Sequence, residues 1–328
     1  MNMNIYKRFL IVLFIVIFVL TIIIHPVIFF INLGKKNLVE QYLSEWIEVK
    51  EKYSNENENK IVILSGSNTI FGVNAEKMEK ELNIPVLNAG THAALHEYIF
   101  YWAENNILKD GDIVILPLEY EQYEKNEYAE EYLNYIWGYE ERYFNTFNLY
   151  SKLEFIYKVS PNTLLNNTKD LLLFKIPAKY GYPDTGYSSK YLNNNGDMTN
   201  NKEENRRTNE KLMQTTKEKV FTEDEIPSKE FKDNMERFIE YCNVHNIKIY
   251  ATWPAYLYKD KFFSDNDLKK IYDIQNYYNS KNIKVLGNYT DSLYNIELFY
   301  DSYYHLNEKG KEIRTEYLIN LIRKEILS

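Results

Sequence analysis

The 328-residue chain has few of the residues from which disulfides, metal centres and nucleotide sites are built. It contains a single cysteine, Cys242, together with five histidines and 11 glycines. One cysteine cannot form an internal disulfide, and no group of Cys and His has the spacing of a structural zinc site. Neither Gly-x-Gly-x-x-Gly nor a Walker A sequence occurs, which leaves kinase, dehydrogenase and ATPase activities without support. We therefore expect no cofactor and no structural metal.

Positive charge is also in deficit. The chain has 39 Lys and Arg against 47 Asp and Glu, and its net charge of -8 opposes attraction to a phosphate backbone. With 45% hydrophobic residues, 26% charged residues and only 8 prolines, the composition is typical of a chain that buries a core. We expect a folded protein of one large or two ordinary domains that does not bind nucleic acid.

One long apolar run lies at the N-terminus, from residue 9 to residue 31, interrupted only by Thr21 and the pair His25-Pro26. As a helix this run would reach roughly 35 Å at about 1.5 Å per residue, enough to cross a bilayer. It has no polar face, which argues against a buried core helix. A signal peptide would be shorter and would end in small residues, yet no alanine precedes Ala75. We predict an uncleaved transmembrane anchor over residues 9–31.

Basic residues flank the predicted anchor on both sides, so the positive-inside count is close to balanced. The leading segment, residues 1–8, is very short, which favours a cytoplasmic N-terminus. We therefore predict a single-pass protein of the cell membrane whose C-terminal domain lies outside the cytoplasm. Pro26 is predicted to kink or end the helix near its outer end.

After a helix and polar linker at residues 32–59, short β-branched runs alternate with helical patterns. Asn74 and the capping box Ser264-x-x-Asp267 are predicted to begin two of the helices. This alternation predicts an α/β domain over residues 60–328, with a doubly wound, mainly parallel, flavodoxin-like sheet in three layers. The five predicted strands cover residues 61–64, 84–87, 113–116, 247–253 and 283–286.

The alternating pattern is lost between residues 118 and 227. This stretch begins with aromatic and acidic residues and then becomes polar, with almost no apolar residues from 193 to 209. We interpret it as an insertion or lid, part helix and part loop, at the ligand end of the sheet.

Candidate chemical groups follow the predicted strands, where an open parallel sheet binds its ligands. Gly66-Ser67-Asn68 follows the first strand, Asn88-Ala89-Gly90 ends the second, and Asp301 and His305 precede the last helix. Together they supply a hydroxyl nucleophile, a glycine N–H for an oxyanion, a general base and a carboxylate that orients the base. Acyl transfer needs this set. Each group alone also has a structural interpretation, as a helix cap, a turn or a hydrogen-bonded pair.

These motifs resemble those of SGNH/GDSL hydrolase-like proteins, specifically the membrane-anchored type found with bacterial cell-envelope polysaccharide and teichoic-acid machinery. The resemblance covers residues 60–120 and 245–328. It implies an SGNH-like fold with Ser67 as nucleophile, His305 and Asp301 as its partners, and the N–H groups of Ser67 and Gly90 as the oxyanion hole. It also implies an O-acyltransferase or esterase acting on a glycan or teichoic-acid-like acceptor, with a multi-spanning membrane acyltransferase as partner.

The chain departs from the family pattern at two positions. The family has Asp three residues before His, where Ser302 stands here, and Asp301 lies four before. An oxyanion-hole Asn normally follows the third strand, and Pro117-Leu118-Glu119-Tyr120-Glu121 stands in its place. Loss of one such donor lowers a rate by roughly 10²–10³. The alternative function is therefore a catalytically inactive SGNH-like subunit that binds glycan or serves as a scaffold in a membrane acylation complex.

Five further residues near the predicted strand ends are candidates for contact with substrate. His92 and His96 are four residues apart and, with Glu97, could suggest a metal site, but the motif is not His-Glu-x-x-His and no third ligand is evident. We expect His92 to line the acyl pocket. Trp253 either forms an aromatic platform for a sugar or packs in the core. The five candidates are Asn68, Asn88, His92, Glu119 and Trp253.

Overall fold

The computed structural model describes residues 5–173, 186–215, 220–258 and 263–328. The chain divides into two compact units. The anchor unit comprises Met1–Gln41 and Tyr128–Tyr182, and the sheet unit comprises Tyr42–Glu127 and Pro183–Ser328. Residues 118–227, predicted as an insertion or lid, contribute to both units.

The helices and strands are numbered in chain order. The helices are α1 (Ile5–Asn32, with a π-helical turn at Leu20–Ile24), α2 (Gln41–Glu56), α3 (Ser67–Gly72), α4 (Ala75–Leu82), α5 (Tyr98–Trp102), α6 (Glu130–Tyr139), α7 (Glu141–Thr146), α8 (Leu149–Lys158), α9 (Pro161–Leu172), α10 (Asn209–Thr215), α11 (Lys229–Val244), α12 (Asp265–Ser280) and α13 (Glu308–Glu325). The strands are β1 (Ile61–Ser65), β2 (Val86–Gly90), β3 (Ile113–Leu116), β4 (Lys248–Thr252), β5 (Tyr256–Leu257), β6 (Lys284–Leu286) and β7 (Leu293–Tyr294).

Five parallel strands form one sheet in the order β2-β1-β3-β4-β6, which confirms the predicted α/β class. The short strands β5 and β7 pair separately. From β1 the chain passes first to β2 on one side and then to β3 on the other. The carboxyl ends of β1 and β3 therefore border the crevice in which sheets of this kind bind ligands.

The second strand lies two residues later than predicted. Pro85 has no N–H to donate to a ladder, so the strand begins at Val86 and continues to Gly90, which pairs with Ser65. All five residues of β1 are buried. The central strands β1 and β3 are nearly continuous apolar runs that do not alternate with polar residues, which is typical of parallel sheets covered on both faces.

The N-terminal apolar run forms α1, which extends from Ile5 to Asn32 and is long and apolar enough to cross a membrane. Pro26 was expected to kink or end the helix. The π-helical turn Leu20–Ile24 instead precedes it and the helix continues for another turn and a half. Helices α6, α7 and α8 pack on the last part of α1 through rings around Phe29, namely those of Trp137, Phe144 and Phe155.

In the sheet unit a buried lysine joins α2 to the end of β2. Lys50 Nζ donates to the carbonyl oxygens of Asn88 at 2.8 Å and of Gly196 at 2.9 Å. Gly196 has φ +86°, and an added Cβ there would lie 2.6 Å from the Asn88 oxygen, so this close approach requires glycine. Burial lowers the pKa of Lys50 to about 7, against the opposing charge of Asp197.

Replacing Lys50 with methionine should change how stability depends on pH. Since the fold lowers the pKa of Lys50 to about 7, and an unfolded lysine titrates near ~10.4, the unfolded chain holds the extra proton between these values. The free energy of unfolding of the wild type should rise, relative to Lys50→Met, as the pH increases from about 7 to about 10. Urea unfolding in detergent micelles measures this difference.

The exposed Lys52, on the same helix, provides the control variant Lys52→Met. A difference between wild type and Lys50→Met that does not vary with pH would contradict the prediction.

Candidate active site

The carboxyl ends of β1 and β3 bring Ser67 and Glu119 together. Ser67 is the first residue of α3, directly beyond β1, and Glu119 follows β3. Ser67 Oγ donates to Glu119 Oε1 at 3.2 Å, and the N–H of Asn68 donates to the same oxygen at 2.7 Å. The side chain of Ser67 is only 8% exposed. The serine predicted as nucleophile therefore lies in the crevice between β1 and β3, with a carboxylate against it.

The Glu119 carboxyl is itself enclosed. Burial raises its pKa, the hydrogen bond from the Asn68 N–H opposes this rise, and the nearby charge of Glu121 adds to it. An added Cβ on Gly66 would lie 2.7 Å from Glu119 Oε1, so glycine at this position lets the carboxyl approach the start of α3. The result is a carboxyl group beside Ser67 that accepts a proton more readily than an exposed glutamate.

Asp301 and His305 form the second half of the site. Asp301 Oδ1 lies 2.6 Å from His305 Nδ1, and the Tyr187 hydroxyl donates to Asp301 Oδ2 at 2.5 Å. The N–H of Tyr300 donates to the His305 carbonyl at 2.7 Å, which folds the segment back on itself. A carboxylate four residues before the histidine, and not three, therefore still reaches the imidazole.

The charge of Asp301 is stabilised by its partners. Burial raises the pKa of Asp301, but the His305 imidazole and the hydrogen bonds from His305 and Tyr187 outweigh burial, and the net pKa is lowered. Because a carboxylate accepts hydrogen bonds and cannot donate them, Nδ1 of His305 carries the proton in this pair. The other ring nitrogen, Nε2, is then the one that can accept a proton.

Helix α3 positions the imidazole as well as the serine. The His305 ring stacks on Phe71, with centroids 4.2 Å apart and planes at 16°. Phe71 lies four residues after Ser67, on the same face of the helix. Within the described residues no hydrogen bond joins Ser67 to His305, because the Ser67 hydroxyl donates to Glu119.

The two predicted oxyanion donors differ in their surroundings. The Gly90 N–H donates to Asn88 Oδ1 at 3.0 Å, so its use for an oxyanion would require this hydrogen bond to open. An added Cβ on Gly90 would lie 2.5 Å from the nitrogen of Ile70, and the glycine thus allows α3 to lie against β2. The Ser67 N–H makes no hydrogen bond to any described residue.

Asn68 and Asn88, predicted to contact substrate, are fully buried. The amide of Asn68 donates to Ser65 Oγ at 2.9 Å and to the Pro117 carbonyl at 3.0 Å. That of Asn88 donates to the Thr69 carbonyl at 3.0 Å and to an Asp197 oxygen at 2.9 Å. Both side chains fix the ends of β1, β2 and β3, and neither reaches a substrate unless these hydrogen bonds open.

The remaining candidates are partly or wholly enclosed. Trp253 is buried, and its Nε1 lies 3.3 Å from the Gly287 carbonyl, which agrees with its packing interpretation. His92 is partly exposed, and its Nδ1 accepts from the Ala94 N–H at 3.2 Å. His96 has φ +45°, so it does not continue a helix from His92, and the two rings do not share a helix face. No group of three potential metal ligands occurs in residues 5–173, 186–215, 220–258 and 263–328.

Sequence patterns did not identify two contacts of the site. Tyr187 donates a hydrogen bond to Asp301, but it lies between residues 118 and 227, where the alternating pattern is lost and no periodicity indicates its role. Glu121 accepts from the hydroxyls of Tyr303 at 2.8 Å and Tyr304 at 2.6 Å. With 31 tyrosines in the chain, neither abundance nor spacing distinguishes these three from the rest.

Comparison of the chain with protein-family models, curated proteins and solved structures found no match. A parallel α/β sheet supports many unrelated activities, so the fold alone does not decide the function. Function is therefore inferred from the residues and distances of the chain itself.

Asn88→Ala should destabilise the sheet unit. It removes donors from the Asp197 carboxylate and the Thr69 carbonyl and leaves the Gly90 N–H without its acceptor. Buried groups left unpaired cost about 1–3 kcal/mol each, and we expect a loss of that order in the free energy of unfolding. Urea unfolding in micelles measures it, with the exposed Asn194→Ala as control. Equal stability of the two variants would contradict a structural role for Asn88.

Proposed function

We propose that the chain is a membrane-anchored serine acyl-ester enzyme of the SGNH-like type, an O-acyltransferase or esterase that acts on a cell-envelope glycan. The observation that carries this proposal is the Asp301–His305 pair, whose imidazole stacks on the helix that begins with Ser67. A hydroxyl, an imidazole and an ionised carboxylate in this order are the groups needed for acyl transfer.

In the proposed mechanism the Ser67 hydroxyl turns from Glu119 to His305 and attacks the carbonyl carbon of an ester. His305 Nε2 takes the hydroxyl proton while Asp301 stabilises the imidazolium. The proton then passes to the leaving alcohol, and an acyl–Ser67 ester remains. Water or a glycan hydroxyl attacks this ester and gives its proton to His305 Nε2. The bond between the acyl carbon and Ser67 Oγ then breaks, His305 returns the proton to Ser67 Oγ, and the acyl group leaves as the free acid or as the glycan ester.

When the ester carbonyl is attacked, a negative charge develops on its oxygen beside the Ser67 N–H, and Glu119 would interact with this oxyanion. An ionised carboxylate there repels an oxyanion, whereas a protonated carboxyl can donate a hydrogen bond to it. The raised pKa of Glu119, caused first by burial, supports the second form. Glu119 would then supply the side-chain donor for which the related family uses asparagine.

The membrane and a second protein complete the proposal. The helix α1 would hold the chain at the cell membrane, with the sheet unit outside the cytoplasm. A single span provides no path for an acyl group, so a multi-spanning membrane acyltransferase would supply it, and a glycan or teichoic-acid-like polymer would accept it.

A second candidate function is a glycan-binding or scaffold subunit without turnover. The hydrogen bond between Ser67 and Glu119 favours it, because this bond engages the hydroxyl that would have to contact His305.

Labelling with a serine-directed fluorophosphonate distinguishes the two functions. The full-length protein in detergent should gain one adduct by intact mass, and Ser67→Ala and His305→Ala should each abolish it, since one removes the nucleophile and the other its base. Ser280→Ala, which changes an exposed serine far along the chain, should keep the adduct. Absence of an adduct in folded wild type would contradict the enzyme and favour the scaffold.

Glu119→Gln should leave the rate at which Ser67 is labelled within a few-fold of the wild-type rate, whereas Glu119→Ala should lower it. Glutamine keeps the shape of the side chain and replaces the O–H donor of a protonated carboxyl with an N–H donor, while alanine removes the donor, and loss of one oxyanion donor lowers a rate by roughly 10²–10³. Time-resolved intact mass measures the rate, with the exposed Glu127→Gln as the matched control. A larger fall in the rate for Glu119→Gln would show that the carboxylate assists Ser67 as a base and would overturn the assigned role.

A further inference from the structure

Helix α8 of the anchor unit exposes a row of large apolar side chains. Leu149, Leu153 and Tyr157 lie four residues apart, so they share one face of the helix. Leu149 is 76% exposed, and the other two are also exposed. The side chain of Phe155, which points to the other side of the helix, is buried, and so is that of Ile156, at the edge of the row. The helix therefore has one face packed in the protein and a second apolar face that the described protein does not cover.

Helix α9 has a similar row. Leu165 and Leu172 are exposed, Leu172 by 72%, and lie seven residues apart with Thr168 between them on the same face. The neighbouring Leu164 is buried. Two consecutive helices thus each expose leucines on one face, which is more apolar surface than scattered single residues provide.

Both rows are continuous with α1, the helix suited to cross a membrane. The Tyr157 hydroxyl donates to the Ile22 carbonyl at 3.4 Å, and its ring stacks on His25 with centroids 5.6 Å apart. Asn32 Nδ2 donates to Thr168 Oγ1 at 2.9 Å. Pro26 has no N–H to give to the Ile22 carbonyl, four residues earlier, which leaves that carbonyl able to accept from a side chain. Each exposed row therefore contains one residue that binds α1.

The contact between Tyr157 and Ile22 lies at the depth of a membrane interface. The apolar part of α1 begins after Arg8, and a hydrocarbon core of about 30 Å takes up about 20 helical residues, so an upright α1 reaches its far boundary near Ile28. Ile22 would then lie about 9 Å inside this boundary. Amphipathic helices that lie in the interface bury their apolar face by about 5–10 Å, which is the same depth.

We propose that the exposed rows of α8 and α9 rest in the lipid bilayer, at the interface where the C-terminal end of α1 leaves the hydrocarbon. The occupant of this surface is lipid, because each row contains a residue that contacts α1, the helix suited to cross a membrane. The anchor unit then holds the membrane with three helices, one across it and two along it. This inference does not depend on the chemistry assigned to Ser67.

Site-directed spin labelling of the full chain in lipid nanodiscs tests the proposal. Single cysteines replace Leu149, Leu153, Leu165 and Leu172 in turn, and each carries a nitroxide. Cys242 is buried, and burial raises its pKa to about 12, so it does not compete for the label. Collision rates with oxygen, which concentrates in lipid, and with a water-soluble nickel chelate are then compared.

Matched controls are cysteines at Val244 and Ile313, exposed apolar positions on helices of the sheet unit, of which Val244 is 77% exposed. The ratio of oxygen to nickel collisions should be several-fold higher at the four anchor-unit sites than at the controls. Ratios equal to the controls would place the rows in water and overturn the proposal. Low collision rates with both reagents would show that protein, such as a second copy of the chain, covers the rows. This result would also overturn the proposal. Unchanged far-UV circular dichroism verifies the fold of each variant.

Discussion

Helix α3 can lie against β2 only because residue 90 is glycine. At any other residue a Cβ would meet the backbone nitrogen of Ile70, and the helix would have to move outward. Much of the candidate site depends on this contact, since α3 begins with Ser67 and carries the ring of Phe71 that supports His305. A close approach of backbone to backbone thus sets where the hydroxyl and the imidazole can be.

The two carboxyl groups of the site have opposite electrostatic surroundings. Asp301 has an imidazole and a tyrosine hydroxyl as partners, and its pKa is lowered although it is buried. Glu119 receives hydrogen bonds from neutral groups only, and burial raises its pKa. Surroundings that lower the pKa of one carboxyl group and raise the pKa of another allow one site to hold both a permanent charge and a proton donor. The roles proposed for Asp301, as the carboxylate that orients His305, and for Glu119, as a hydrogen-bond donor, rest on this difference.

The sheet was predictable from sequence because its central strands β1 and β3 are short apolar, β-branched runs, of which β1 is buried along its whole length. Helix α1 was also predictable, from its long apolar run. The capping box predicted at Ser264 is formed. Local patterns also pointed to Ser67 and His305, and in the structure the His305 ring stacks on Phe71 of the helix that begins with Ser67. Patterns failed where the structure depends on partners distant in the chain. The contact of Tyr187 with Asp301, for example, joins residues 114 positions apart, and no periodicity records it.

The order of strands along the chain has a consequence for how the protein is made. Strand β3 pairs with β1 on one side and with β4 on the other, and the whole of α6 to α11 is synthesised between β3 and β4. Until the ribosome reaches Lys248, β3 is an unpaired edge, open to pairing with other chains. Completion of the sheet is a non-local step that must wait for the anchor unit's helices to emerge, so it is expected to be the slow step of folding. A membrane helix that is synthesised before β3 would hold neighbouring nascent chains close together on one surface during this interval. Rapid pairing of β3 with β4 matters most under that condition, because it removes the open edge.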